Sequence, residues 1–313
     1  MTHTTTAGHS SSSGCRGHGV DVLITAIAPT VWGSTYIVTT EFLPSGYPVT
    51  VAALRALPAG LLLLAIVRQL PTGVWWWRSF ILGILNFTVF WSLLFVSAYR
   101  LPGGVAATVG SIQPLVVVVL ARVLMDARLK LGGILAALVG IGGVGLLVLA
   151  PNAKLDMIGI FAGTGAAVSM AFGTVLSRKW QPPVSALTFT AWQLTAGGLL
   201  LAVLALLLEP MLPSPSLQNM AGFLWLGLIG AAATYIIWFR GVSRLEPALV
   251  SSLGFLSPLT AVILGWVFLG QFLTLVQILG VLLVLISILT TKRQSLKDRQ
   301  PGAAPRSPAP RNL

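Results

Sequence analysis

Arg55 stands about seven residues inside an apolar run that begins near Pro48, where an unpaired cation costs about 2.5–3.5 kcal/mol on insertion scales. A guanidinium at that depth reads in two ways: an anion-recognising or gating group facing a cavity, or a side chain that caps carbonyls, snorkels, or pairs with Glu41. Uncharged polar groups lie equally deep, at Asn86, Gln113, Gln193 and Ser257, interspersed with Trp32, Tyr36, Trp91, Trp192, Tyr235 and Trp238. Rings that stack, with a few hydrogen-bonding groups between them, suit a flat or amphipathic organic molecule. Each ring alone also fits a membrane-interface anchor, which is the reading for Trp75, Trp76 and Trp77. Pro114 and Pro258 interrupt two further runs, and each is expected to free the carbonyl four residues earlier, at Gly110 and Gly254. Those four positions are expected at helix breaks, which either line and gate a cavity or serve as plain kinks.

The elements that must position these residues follow from composition. Of 313 residues 56% are hydrophobic and only 8% charged, about a third of the charged fraction of a soluble domain. Ten apolar runs of roughly twenty residues, the length that crosses a hydrocarbon core as helix, fall near 22–40, 49–67, 79–99, 103–121, 131–150, 158–177, 185–208, 220–239, 247–269 and 272–290. They are continuous rather than alternating, so the fold class is all-α integral membrane, not a barrel. Within the runs, Gly165, Ser169, Gly173 and Ser177, and likewise Gly132, Ala136 and Gly140, recur every four residues, as in small-residue faces that pack helices closely.

The net charge of +12 is distributed by topology. Arg68, Arg78, Arg122, Arg128, Lys130, Arg178, Lys179, Arg240, Arg244 and the basic C-terminal tail all lie on the side reached after an even number of spans; the opposite side holds Arg100 and Lys154. This positive-inside pattern places both termini in the cytoplasm and makes a nucleic-acid partner remote. The seven acidic residues avoid the middle of every span, so no buried carboxylate is on hand for a proton relay. All three histidines precede residue 20, the lone Cys15 has no internal partner, and no P-loop occurs, so neither cofactor, metal nor embedded enzyme chemistry is expected.

Two halves echo each other. Arg100 and Arg244, Gly110 and Gly254, and Pro114 and Pro258 stand at equal separation, and "LRALPAGLLL" (Leu54–Leu63) parallels "WQLTAGGLLL" (Trp192–Leu201). Five spans separate each pair, so the halves run in opposite senses, the inverted repeat of secondary transporters. With "WGSTY" at Trp32–Tyr36, these features resemble the EamA branch of the drug/metabolite transporter superfamily, and within it PecM-like exporters, a group associated with pigment efflux. The resemblance implies repeats at 22–150 and 151–291 and alternating-access export of small organic metabolites across the cell membrane, while composition leads to the expectation of disordered tails at 1–21 and 292–313. A passive facilitator or exchanger is the alternative. The Gly-Glu pair frequent in that branch is absent: Asp126-Ala127 and Gly270-Gln271 stand there.

Overall fold

The computed structural model describes residues 10–44, 46–100, 109–127, 131–148, 156–269 and 274–299, and no strand occurs among them. Helix α1 (Ser10–Gly33) passes through one tight turn at Ser34 into α2 (Thr35–Phe42), and α3 (Pro48–Val67) follows. Next, α4 (Trp75–Gly83) runs through a π-helical segment, Ile84–Val89, into α5 (Phe90–Arg100). Then come α6 (Gln113–Met125), α7 (Leu131–Val148), α8 (Met157–Trp180) and α9 (Ala186–Leu208). A second composite rod joins α10 (Leu217–Leu224) through π-helical Trp225–Ala233 to α11 (Thr234–Arg244), and α12 (Pro247–Leu253), α13 (Leu256–Leu269) and α14 (Leu275–Arg299) complete the chain. Eight helical stretches among the described residues are long and apolar enough to cross a membrane, and two shorter apolar helices accompany them. Large side chains such as Val123, Phe161, Leu206 and Leu207 stay exposed on the outside of the bundle, the surface that acyl chains cover.

Small residues set the two closest helix pairings. A Cβ on Gly60 would stand 2.5 Å from the Thr195 nitrogen, and one on Gly198 2.7 Å from the Leu57 Cα, so α3 and α9 touch backbone to backbone. In the α7 and α14 pair, Gly143 faces the Gly280 carbonyl, and Ser287 Oγ donates to the Ala136 carbonyl at 2.6 Å. Along α8, Gly173 sits under Asn86 and Ser169 Oγ donates to the Leu85 carbonyl at 2.8 Å, so the small face of that helix packs on the first π segment.

Both ends of the α3 and α9 pair are tied. At one end the Glu209 carboxylate accepts the backbone N–H groups of Val49 and Thr50, each at 2.7 Å, which satisfies donors that Pro48 at the helix start leaves open. At the other end Trp192 Nε1 donates to the Gln69 carbonyl at 2.7 Å. Glu209→Ala is expected to cost about 1–2 kcal/mol through loss of this cap. A thermal melt in detergent checks it, and an unchanged melting temperature would show that the contact contributes nothing.

Three expectations are corrected. The N-terminal segment expected to be disordered to residue 21 is helical from Ser10, and Asp21 anchors it through ion pairs to Arg240 (2.7 Å) and Arg244 (3.4 Å). The C-terminal segment expected to be disordered from residue 292 stays helical to Arg299, because Gln294 packs over Gly132 and Ser295 is buried. Trp75 is buried against Phe189 and Trp192 rather than anchored at an interface, whereas Trp76 and Trp77 are exposed.

Candidate functional site

The centre of the bundle is a chain of rings. Trp32 from α1 packs 4.9 Å from Tyr235 and 5.0 Å from Trp238 of α11, while Phe87 from the first π segment meets Tyr235 at 4.7 Å and Trp91 of α5 at 5.4 Å. Tyr235, Trp238, Phe87 and Trp91 are buried, and Phe239 and Phe189 extend the cluster. Arg55 enters it from α3. Its Cζ lies 4.8 Å over the Trp91 ring, its Nη2 donates to the Gly230 carbonyl at 2.7 Å, and its Nε has no acceptor. Arg55 is 7% exposed, so it does not snorkel to the surface.

The Gly230 carbonyl is available because the second π segment shifts the backbone ladder by one residue. It accepts a second bond from Thr234 Oγ1 at 2.9 Å, and that hydroxyl in turn accepts Trp32 Nε1 at 2.9 Å. Helix α1, the second π rod and α3 therefore meet through one carbonyl. The first π segment carries a comparable contact: Asn86 Nδ2 donates to Gln193 Oε1 at 2.8 Å and reaches Ser177 Oγ at 3.5 Å. Asn86 and Gln193 are fully buried, and Asn86 Oδ1 has no donor.

The remaining sequence candidates scatter. Trp192 belongs to the tie with Gln69 and the Trp75 ring, and it meets the ring cluster only through Trp75 and Phe189. The Ser257 carbonyl is the atom a Cβ on Gly33 would strike first, which places it one residue from Trp32. Gln113 is half-buried in the first turn of α6, which packs on α8 and α12 instead of on the rings. Tyr36 is helical in α2, but its side chain lies outside the described residues. Helical regularity fails at Ser111–Ile112, between Gly110 and Pro114, and at Gly254–Phe255, just before Pro258. The Gly254 carbonyl is not left free as Pro258 suggested: a tight turn lets it accept the Ser257 N–H at 3.1 Å.

Each end of the bundle carries an ion pair between α1 or α8 and the end of a π rod. Asp21 holds Arg240 and Arg244, as described; at the opposite end Asp156, the N-cap of α8, holds Arg100 at 3.2 Å. The Gly159 N–H first, and Arg100 after it, hold the Asp156 carboxyl below its ordinary value. Beside Arg100 opens a groove of about 290 Å³ lined by Pro48, Val49, Ser92, Phe95, Val96 and Ile158.

Sequence reasoning missed Phe87 and Phe239, whose plain apolar rings look lipid-facing in a run of Leu and Val, and missed Gly230, which acts through its backbone. One signal was present for Gly230: it stands as far from Asn86 as Arg244 does from Arg100.

Comparison with known proteins fits this arrangement. The EamA-like transporter family pattern matches twice, over residues 21–149 and 157–292. Protein PecM of Dickeya dadantii is 44% identical over 280 residues, 89% of this chain and 94% of that one. A WAT1-related chloroplastic protein of Arabidopsis thaliana is 31% identical over 82% of this chain and 66% of its own length, and the inner membrane transporter YedA of Escherichia coli is 27% identical over 88% and 92%. A solved crystal structure superimposes with a TM-score of 0.77 at 20% identity, over 89% of this chain and 98% of that one, a likeness of fold.

Proposed function

This chain belongs to the EamA-like transporter family, and on that premise we propose that it exports small organic solutes by alternating access, as two inverted five-helix halves of a ten-span bundle with both termini cytoplasmic. A membrane transporter, not an enzyme, is what its relatives are named. The exporter reading extends from the likeness to PecM.

One set of contacts supports the mechanism: residues that are counterparts in the two halves make matching contacts across the bundle. Gly60 of α3 and Gly198 of α9 each press on the other helix, and they are counterparts in the aligned "LRALPAGLLL" and "WQLTAGGLLL" segments. Arg55 and Gln193 are counterparts in the same alignment; the first reaches the second π segment at Gly230 and the second reaches the first π segment at Asn86. Arg100 and Arg244 are a third pair, each ion-paired to the start of the opposite half at opposite ends of the bundle. Two like halves in opposite senses can exchange conformations. With both ends paired and rings filling the centre, the chain is in an occluded form, and the solute site comprises Trp32, Arg55, Trp91, Tyr235 and Trp238, flanked by Asn86 and Gln193. Ser257, Gln113, Trp192 and Tyr36 would line the path as helices move, with the breaks near Gly110, Pro114, Gly254 and Pro258 as its hinges.

The ion pairs then act as gates, each a modest bias on state population because solvent-exposed pairs are weak. A Ser92→Cys probe in a Cys15→Ser background reports the Arg100 end. Asp156→Asn is expected to speed its labelling by an outside thiol reagent several-fold, and unchanged labelling would remove the gate. Because Asp156 is held below its ordinary pKa, this pair persists through neutral and mildly acid pH and is lost as external pH falls through that lowered value. The export reading itself is tested by metabolite profiling of medium and cells with and without overexpression. A solute enriched in the medium is expected; none, with inserted and folded protein, would contradict it.

A further inference from the structure

The ring cluster is furnished with donors and no acid. Arg55 Nε and Trp238 Nε1 are both buried without an acceptor, at the two ends of the ring chain that runs Trp91, Tyr235, Trp32. Six of the seven acidic residues lie at or near span ends: Asp21 and Asp156 in ion pairs, Glu209 on the α3 cap, and Glu41, Asp126 and Glu246 beside helix termini. The seventh, Asp298, follows the last span. The Arg55 charge is therefore met by a carbonyl dipole and a ring face, with no counter-ion beside it.

We propose that the solute taken at this site is an organic anion with a flat ring, its carboxylate or comparable group meeting the Arg55 guanidinium and its ring replacing ring-on-ring contacts among Trp32, Trp91 and Tyr235. This rests on the solute-binding reading above and adds the substrate's charge. A buried guanidinium without a counter-ion is poorly compensated, and a ligand oxyanion restores compensation through charge-assisted bonds to donors already aimed inward. An organic cation would find like charge and no carboxylate. A neutral ring would gain the stacking but bring at most an uncharged acceptor to the orphan donors, leaving the guanidinium charge uncompensated.

A matched set separates these cases: 2-naphthoate, 2-naphthamide and 2-naphthylmethylammonium share a ring system and differ in charge. Each is titrated calorimetrically into purified full-length protein in nanodiscs. The anion is expected to bind at least tenfold tighter than the other two. Arg55→Gln is expected to erase that preference, and Arg55→Lys to keep part of it. Equal or tighter binding of the amide or the ammonium overturns the inference. So does a preference that survives Arg55→Gln, or no binding by any of the three to protein that still melts cooperatively. Binding is read without a gradient, so efflux of some solute with no preference for anions would sink this inference and leave the exporter reading standing.

Discussion

Gly60→Val and Gly198→Val are each expected to abolish the folded protein. The Gly60 Cβ position is 2.5 Å from the Thr195 nitrogen and 2.8 Å from the Leu194 carbonyl carbon, and that of Gly198 is 2.7 Å from both the nitrogen and the Cα of Leu57. Backbone cannot swing aside as a side chain can. The two helices would have to separate along their whole contact, parting the Glu209 cap at one end and the Trp192 bond at the other. Overpacking in a tight core typically costs 1–3 kcal/mol, and backbone collision of this kind costs more than about 3 kcal/mol. Gly142, with nothing near its Cβ position, supplies the control. Gly142→Ala should elute as wild type in detergent gel filtration, whereas both valine variants should aggregate or fail to accumulate. A monodisperse Gly60→Val protein with a wild-type melt would mean that α3 and α9 do not cross as described.

Arg55→Ala is expected to reduce transport at least tenfold, about 1.4 kcal/mol, with membrane levels unchanged. The fold should tolerate the loss because the Gly230 carbonyl keeps its bond from Thr234 Oγ1, so no buried acceptor is orphaned. Removing a buried charge without a counter-ion also relieves a desolvation cost. Transport at the wild-type rate in Arg55→Ala would assign the residue to holding the π segment and nothing else. Quantitative blotting of membranes alongside the flux assay separates a lost protein from a lost function.

Much of the buried polar and aromatic cluster was readable because depth in an apolar run is a strong signal. Arg55, Asn86 and Gln193 stood out as polar groups where lipid does not tolerate them, and all three prove buried and partnered across the bundle. Trp32, Trp91, Tyr235 and Trp238 were legible as ring residues away from the outer Trp76 and Trp77. The partners were not. Gly230 contributes a carbonyl freed by a π turn, a property of backbone hydrogen bonding that one-letter sequence does not carry. Glu209 looked like a span-end acid, and only the close approach of α3 and α9 turns it into the cap of another helix. Pro258 promised a free carbonyl that a compact turn reclaimed. Composition spoke for disorder at both ends, yet Asp21 and Gln294 find partners on neighbouring helices and extend α1 and α14 beyond the apolar runs.

The central claim is that solute crosses through the Arg55 site. Its most direct test is uptake into inside-out vesicles of the solute that overexpression enriches in the medium, compared for wild type and Arg55→Ala at equal protein. Accumulation by wild type and background uptake by the variant is the predicted result. Equal accumulation by both, or none by inserted and folded wild type, would contradict it.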